Sequence, residues 1–456
     1  MIGGSGIAEA AEWDGVETLE RIRAGDVSAT EVLESAIARA EAAEPLGAIV
    51  TACFDRARSK PPTPGPFSGL PTFIKDLAQL AGVRTTWGSA GAGHFVSKRS
   101  DAIARRFESL GFVPIGKSAT PEFGMTATTE PLGAAPCRNP WDPTRSTGGS
   151  SGGSAALVAA GVVPIAHASD GGGSIRIPAS CCGVLGLKAS RGTLDMQGSP
   201  LLPVNLAVDG AVARSVRDLV AFWDAIDPGP LPSAAGLRIA FFTHSGLDAP
   251  VHPATQRATR DAAALCEELG HRVEEIPCPF PRRINDDFFR LWGMLAWIQE
   301  RGAKALTHPG FDASELEPWT KHMADYFRAQ RAEVARAVLR LRAFPREYQR
   351  HFDAFDVLIN PVVATPAPPL GHLAVDLPFP IAFHRIEEFG AFTGIQNVAG
   401  APAISLPLGE HEGLPIGVQL STTRGRDKLL LALAADLERA RPWPRIAPPE
   451  RWIAFA

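Results

Sequence analysis

The sequence lacks most of the features that commit a chain to a specialised class. Its 49 acidic and 45 basic side chains nearly cancel, leaving a formal net charge of −4. There is therefore no clustered basic excess of the kind that a nucleic acid or an anionic membrane surface requires. No stretch of the sequence is apolar for long enough to span a bilayer. The opening MIGGSGIAEAAEWDG has neither the basic start nor the apolar run of a secretory signal, so a cytoplasmic location is expected. Six cysteines (Cys53, Cys137, Cys181, Cys182, Cys266 and Cys278) lack the C-x-x-C spacing of zinc and redox sites, and they read as small buried hydrophobes. Internal repeats and low-complexity tracts are missing too. What remains is a 456-residue chain, 45% apolar and 21% charged, long enough to bury a large core. Small molecules are its expected ligands.

Residues 14–45 read as helical. Ser28 and Glu31 have the spacing of a capping box, and Ala29, Val32, Leu33, Ala36, Ile37 and Ala40 form a stripe at helical period. A Pro-rich stretch, Pro61 to Pro66, separates this part from Leu70–Asp76, which reads as a strand ending in the charged pair Lys75–Asp76. Short apolar runs at Phe112–Ile115, Val162–Ala166, Leu237–Phe242, Val357–Ile359 and Val418–Leu420 alternate with helical patterns at Thr259–Leu269 and Lys428–Arg439. This alternation predicts an α/β fold with a mixed central sheet flanked by helices on both faces. A single domain is expected, with a helical N-terminal part at about 14–60 and a core at about 61–245 and 350–456. Residues 280–345, dense in aromatics and charges, read as a helical insertion. The aromatic residues there (Phe288, Phe289, Trp292, Trp297, Trp319, Tyr326 and Phe327) read first as core and second as an acyl pocket.

Glycine and serine cluster twice, in Ser146–Ser154 and in Ser169–Ser174, with the helical Ala155–Ala160 and the apolar Val162–Ala168 between them. A flexible linker would stay polar across that interval. Glycines let backbone N–H groups approach a ligand closely, so a Gly-Gly-Gly-Ser turn can present donors to a developing oxyanion.

These segments resemble the amidase-signature family: GGSSGGS at 148–154, DGGGSIRIP at 170–178 and CGVLGLK at 182–188. The Gly69–Asp76 segment is similar to that family's lysine motif. Pro121–Gly124, Asn139–Trp141, Asn397–Ser405 and Gly413–Leu420 extend the likeness over nearly the whole chain. Several ordered motifs coinciding is far more specific than any one of them. The resemblance implies an amide hydrolase without metal or organic cofactor, with Ser174 as nucleophile, Ser150 as the bridging serine after a cis peptide bond, and Lys75 as terminal base. It further implies an oxyanion hole from the N–H groups of Gly171, Gly172, Gly173 and Ser174, with Ser151, Asp170 and Arg176 holding the two loops in register. The physics is consistent with this division, because a serine hydroxyl is a weak nucleophile until a base accepts its proton. No histidine is read as lying near the motifs, and His167 reads as a hydrogen-bonded core histidine. Lysine must then be neutral, which calls for burial or cationic neighbours to lower its value from about 10.4. Gly171 stands where many relatives carry a bulkier residue, and Ala189 replaces the usual proline. Met125, beside the Glu122–Gly124 turn, is a candidate for the substrate pocket.

Two motifs compete. Gly148–Gly152 satisfies G-x-S-x-G, which would make Ser150 the nucleophile of an elbow, but the preceding Asn139–Arg145 carries two prolines and cannot be the central strand an elbow needs. Gly111–Ser118 satisfies G-x-x-x-x-G-K-[ST], yet its interior Phe-Val-Pro-Ile reads as a strand, and Pro114 has no N–H to offer a phosphate. Two alternatives remain on the same fold: a component of the glutaminyl/aspartyl-tRNA amidotransferase type, and a non-catalytic binding protein. Ile177, where the transamidase group favours glutamine, argues against the first; the intact Lys75, Ser150 and Ser174 argue against the second. The favoured reading is hydrolysis of a small-molecule linear or cyclic amide, near the aryl and nylon-oligomer amidases, with a homodimer as the default assembly.

Overall fold

The computed structural model of the chain describes residues 11–194 and 203–453. Most of the opening segment weighed as a signal lies outside them. The N-terminal helical stretch is two helices rather than one. Gly15–Ala24 starts at Asp14, whose carboxylate accepts from the Glu17 N–H, and stops at Gly25, which takes the left-handed conformation at φ 80°. Ala29–Ala42 starts with the capping box: Ser28 Oγ accepts from the Glu31 N–H at 3.1 Å, and the Glu31 carboxylate accepts from the Ser28 N–H at 3.0 Å. Val32, Leu33, Ala36, Ile37 and Ala40 are its buried stripe. Helical structure does not continue unbroken to residue 60, because Ile49–Ala52 is a strand, β1.

Strand β1 belongs to a three-stranded sheet with β2 (Pro71–Lys75) and β3 (Val113–Ser118), in the order β1-β3-β2. The phosphate-loop lookalike is thus β3 itself. Its Lys117 is fully buried and pairs with Asp76 at 2.6 Å. Next, β4 (Arg138–Asn139) and β5 (Asp142–Ser146) form a small antiparallel ribbon, which takes up the proline-bearing segment before the Gly/Ser cluster.

The main sheet has eight strands: β6 (Ile165–Asp170), β7 (Leu185–Lys188), β8 (Val208–Ala213), β9 (Arg238–Phe241), β10 (Arg272–Glu275), β11 (Val357–Pro361), β12 (Ala403–His411) and β13 (Leu414–Ser421). Their order is β10-β9-β11-β13-β12-β7-β8-β6. The β9–β10 and β9–β11 pairs are parallel and the rest antiparallel, which makes the sheet mixed as expected. Ile404, Leu406, Val418 and Leu420 join Leu430, Leu433 and Leu437 of the helix Asp427–Ala440 in one apolar core. A second core gathers the fully buried helix Gly152–Ala159, the helix Arg176–Cys182 and the aromatic insertion. That insertion is two long helices, Arg282–Leu306 and Pro318–His351, packed against each other. All six cysteines are free; Cys53 and Cys278 are only partly buried. Among the described residues, no helix is long and apolar enough to cross a membrane.

Candidate active site

Three elements of the second core bring Lys75, Ser150 and Ser174 together. Lys75 is the last residue of β2, Ser150 precedes the helix Gly152–Ala159, and Ser174 lies in the turn between β6 and the helix Arg176–Cys182. The Gly149–Ser150 peptide bond is cis. Lys75 is completely buried. Its Nζ lies 2.8 Å from both Ser150 Oγ and Ser151 Oγ, and 3.1 Å from Ser169 Oγ. Ser151 Oγ gives its own proton to a bond with the Ser169 carbonyl at 3.2 Å. Lys75 Nζ is the sole hydrogen-bond partner of Ser150 Oγ among the described residues, so the Ser150 proton can point at the lysine lone pair when the amine is neutral. Burial favours that neutral form and brings the Lys75 value from 10.5 to about 7, against the opposing pull of Asp170 and Asp209.

Ser174 is 8% exposed, whereas Ser150 is 1% exposed, which leaves Ser174 the member that a ligand can reach. Its Oγ has no hydrogen-bond partner among the described residues, while its carbonyl accepts the Ser151 N–H at 3.2 Å and so ties the two loops together. Gly173, with φ at 134°, sits in a conformation that side-chain-bearing residues rarely adopt, and this turns the chain sharply into Ser174.

The four N–H groups expected in the oxyanion hole are not equivalent. Gly173 donates to Asp170 Oδ1 at 2.7 Å, so its N–H is already committed. The Gly171, Gly172 and Ser174 N–H groups have no hydrogen-bond partner among the described residues, a difference that sequence does not show because it depends on which way one carboxylate faces. Asp170 and Arg176, both fully buried, form a two-point pair: Nε to Oδ2 and Nη2 to Oδ1, each 2.9 Å. Burial by itself would raise the Asp170 carboxyl, but the Arg176 guanidinium outweighs it and holds the group well below the usual carboxylate range.

Several members of this network lie in visible motifs without a sequence signal for their role. Asn397 Nδ2 donates to Asp170 Oδ1 at 2.9 Å and to the Asp170 carbonyl at 3.0 Å. Gln419 accepts from Arg176 Nη1 at 2.7 Å, and Thr393 Oγ1 donates to the Gly172 carbonyl at 2.6 Å. Asn397 and Gln419 fall inside the two C-terminal segments of the family pattern; Thr393 lies outside them. His167 is nearer the centre than its sequence position suggests. Its Nδ1 accepts the Lys75 backbone N–H at 3.2 Å and its Nε2 faces Asp209 at 3.1 Å, yet among the described hydrogen bonds it reaches none of the three candidate side chains. Among the described residues no histidine pairs with Ser150, which removes the observation that the elbow reading needs.

Ser174 opens into a cavity of about 50 Å³, lined by Met125, Ile177, Phe288, Phe289, Trp292 and Trp319 among others. The insertion aromatics thus divide: these four face the cavity, while Trp297 packs on Phe327 at 5.3 Å between ring centroids and Tyr326 on Phe383 at the same distance. Met125 holds its place through its carbonyl, which accepts both Trp292 Nε1 at 2.9 Å and Trp319 Nε1 at 3.2 Å. A larger open cleft of about 830 Å³, beside Asp101, Arg106 and Asp209, touches neither serine.

A family model described as Amidase matches residues 31–431. The chain is 41% identical over 456 residues to a Mycobacterium tuberculosis protein named "Putative amidase AmiC", with 96% of each chain covered. It is 35% identical to the 6-aminohexanoate-cyclic-dimer hydrolase of Paenarthrobacter ureafaciens, covering 97% of this chain and 98% of the other. A solved structure of a 6-aminohexanoate cyclic dimer hydrolase superposes with a TM-score of 0.85 at 33% identity, over 95% of this chain and 98% of that one. A bacterial aryl acylamidase gives 0.83 at 25%, over 97% and 98%. A glutamyl-tRNA(Gln) amidotransferase component from Thermotoga maritima, at 23% identity and a TM-score of 0.73, shares the fold alone.

Proposed function

The chain belongs to the amidase family and is an amide hydrolase acting on C–N bonds other than peptide bonds, and we propose that it works through an acyl-enzyme on Ser174. The observation that carries this reading is the contact of the wholly buried Lys75 Nζ with Ser150 Oγ at 2.8 Å, with the lysine value brought to about 7. A neutral Lys75 takes the Ser150 proton as Ser150 takes that of Ser174, so Ser174 Oγ adds to the amide carbonyl without an alkoxide having to form first. The Gly171, Gly172 and Ser174 N–H groups receive the negative charge on the carbonyl oxygen. The proton returns through Ser150 to the departing amine, the C–N bond breaks, and water cleaves the resulting ester by the same relay in reverse order.

The Asp170–Arg176 pair, fastened by Asn397 and Gln419, keeps the donor turn rigid while the reaction proceeds. The substrate is a small linear or cyclic amide, and the enzyme acts in the cytoplasm, a reading supported by six free cysteines.

Lys75→Arg tests the base. Arginine keeps the positive charge but does not deprotonate in proteins. The variant, folded by circular dichroism, is expected to lose amide hydrolysis by about 10³-fold or more. Near-native activity would refute the relay.

A further inference from the structure

The glycines of the donor turn are in contact with the insertion aromatics. A Cβ placed on Gly171 would lie 3.1 Å from Trp292 Cη2 and 3.3 Å from Cζ3, and one on Gly172 would lie 2.7 Å from Phe288 Cζ. The indole and the phenyl ring stack on each other, with centroids 5.3 Å apart and planes 19° from parallel. They form one aromatic wall seated on bare backbone, immediately beside the N–H groups that would receive the substrate oxygen. Trp292 cannot easily tilt away, because its Nε1–H is fixed to the Met125 carbonyl at 2.9 Å. An amide held at Ser174 therefore meets this wall. None of the residues lining the cavity is Lys, Arg, His, Asp or Glu; its polar side chains are Thr126, Asn285 and Ser174.

From this arrangement we propose that Trp292, given room by Gly171, is the residue that sets acyl-group selectivity, and that the site takes amides with an uncharged, apolar acyl group. The proposal rests on the catalytic reading above. A charged acyl group packed against this lining would meet no counter-charge and give up hydration without compensation. A methyl at position 171 would encounter a ring that is fixed by its hydrogen bond, forcing the indole into the space the acyl group occupies. Gly171 is not in the left-handed region, so an alanine there strains no backbone.

The test is kcat/KM for p-nitroanilides of acetic, hexanoic, benzoic and adipic acids, the last with its free carboxylate, in wild type, Gly171→Ala, Trp292→Leu and the double variant. Hexanoyl should exceed adipoyl by about 100-fold in wild type. Gly171→Ala should lower the hexanoyl and benzoyl values by about tenfold relative to acetyl, and in the Trp292→Leu background this difference between acyl groups should shrink to less than about twofold. Trp292→Leu should move the preference toward the larger acyl groups. Trp292→Phe, which keeps the ring on Phe288 and loses the bond to Met125, serves if the leucine variant fails to fold. An equal effect of Gly171→Ala in both backgrounds, an unchanged acyl preference in the Trp292 variants, or adipoyl turnover matching hexanoyl would each overturn the proposal. Labelling of Ser174 by a serine-reactive fluorophosphonate in every variant separates the two readings. Labelling intact with unchanged ratios defeats only this proposal, whereas labelling on another residue defeats the catalytic one.

Discussion

Asp170 and Arg176 face each other at 2.9 Å through two parallel hydrogen bonds, with no solvent reaching either side chain. The same carboxylate accepts the Gly173 and Ile175 N–H groups at 2.7 and 3.2 Å. One ion pair thus fixes the backbone on both sides of Ser174, which makes it a structural condition of the chemistry.

Asp170→Ala should consequently do two things. It leaves the Arg176 charge buried without its partner, a loss on the order of 3–5 kcal/mol. It also frees the turn that carries the donors. Thermal melting of the variant should show a clearly lowered midpoint, and any folded fraction should label poorly with a serine-reactive probe. A native melting point with native labelling would show that the pair does not hold the turn.

Asp209 offers a finer probe of Lys75. Its carboxylate is one of two that pull the lysine value upward against burial. Asp209→Asn removes the charge, and the amide oxygen can still accept from His167 Nε2. The Lys75 value should fall, so the rise of kcat/KM with pH should move to lower pH than in wild type. A shift to higher pH, measured with the same amide, would contradict the assignment of that ionisation to Lys75.

The same burial has a cost in stability, and its sign can be worked out. Lys75 stands at about 7 in the fold against an ordinary 10.5. Below pH 7 the folded and unfolded chains both carry the proton, and the fold bears the full penalty of a buried charge. Between about 7 and 10.5 the unfolded chain binds more protons, so this group makes stability rise with pH. Lys75→Met lacks the titration. Its melting temperature relative to wild type should be highest near pH 6 and decline toward pH 9; an offset independent of pH would show that the fold does not lower the Lys75 value.

Much of this was legible from residue types alone. The capping box at Ser28 and Glu31, the strand ending at Lys75 and the helical pattern at 155–160 each follow from local pattern, because spacing and turn chemistry are local properties, while the strand Ile165–Asp170 runs past the apolar stretch at 162–166 into the second glycine-serine cluster. Ser174, Ser150 and Lys75 are named through the resemblance of GGSSGGS, DGGGSIRIP and the Gly69–Asp76 segment to the amidase-signature motifs. What stayed hidden depends on distant partners. The commitment of Gly173 to Asp170 is a matter of side-chain direction, and the Thr393 bond to Gly172 joins residues 221 positions apart. The aromatic insertion shows the same limit, since helical period gave Phe288 and Trp292 a common face but not the glycine backbone that the face meets. Gly25, the left-handed cap that ends the first helix, precedes the Ser28 capping box and marks the break within residues 14–45.

Location of the covalent adduct tests the central claim most directly. The chain is treated with a fluorophosphonate at pH 8, digested, and the modified residue identified by mass spectrometry. The account predicts a single adduct on Ser174, retained in part by Ser150→Ala and slowed in Lys75→Arg, because those variants impair proton transfer without removing the nucleophile. An adduct on Ser150, or labelling that survives Ser174→Ala at the native rate, would contradict it.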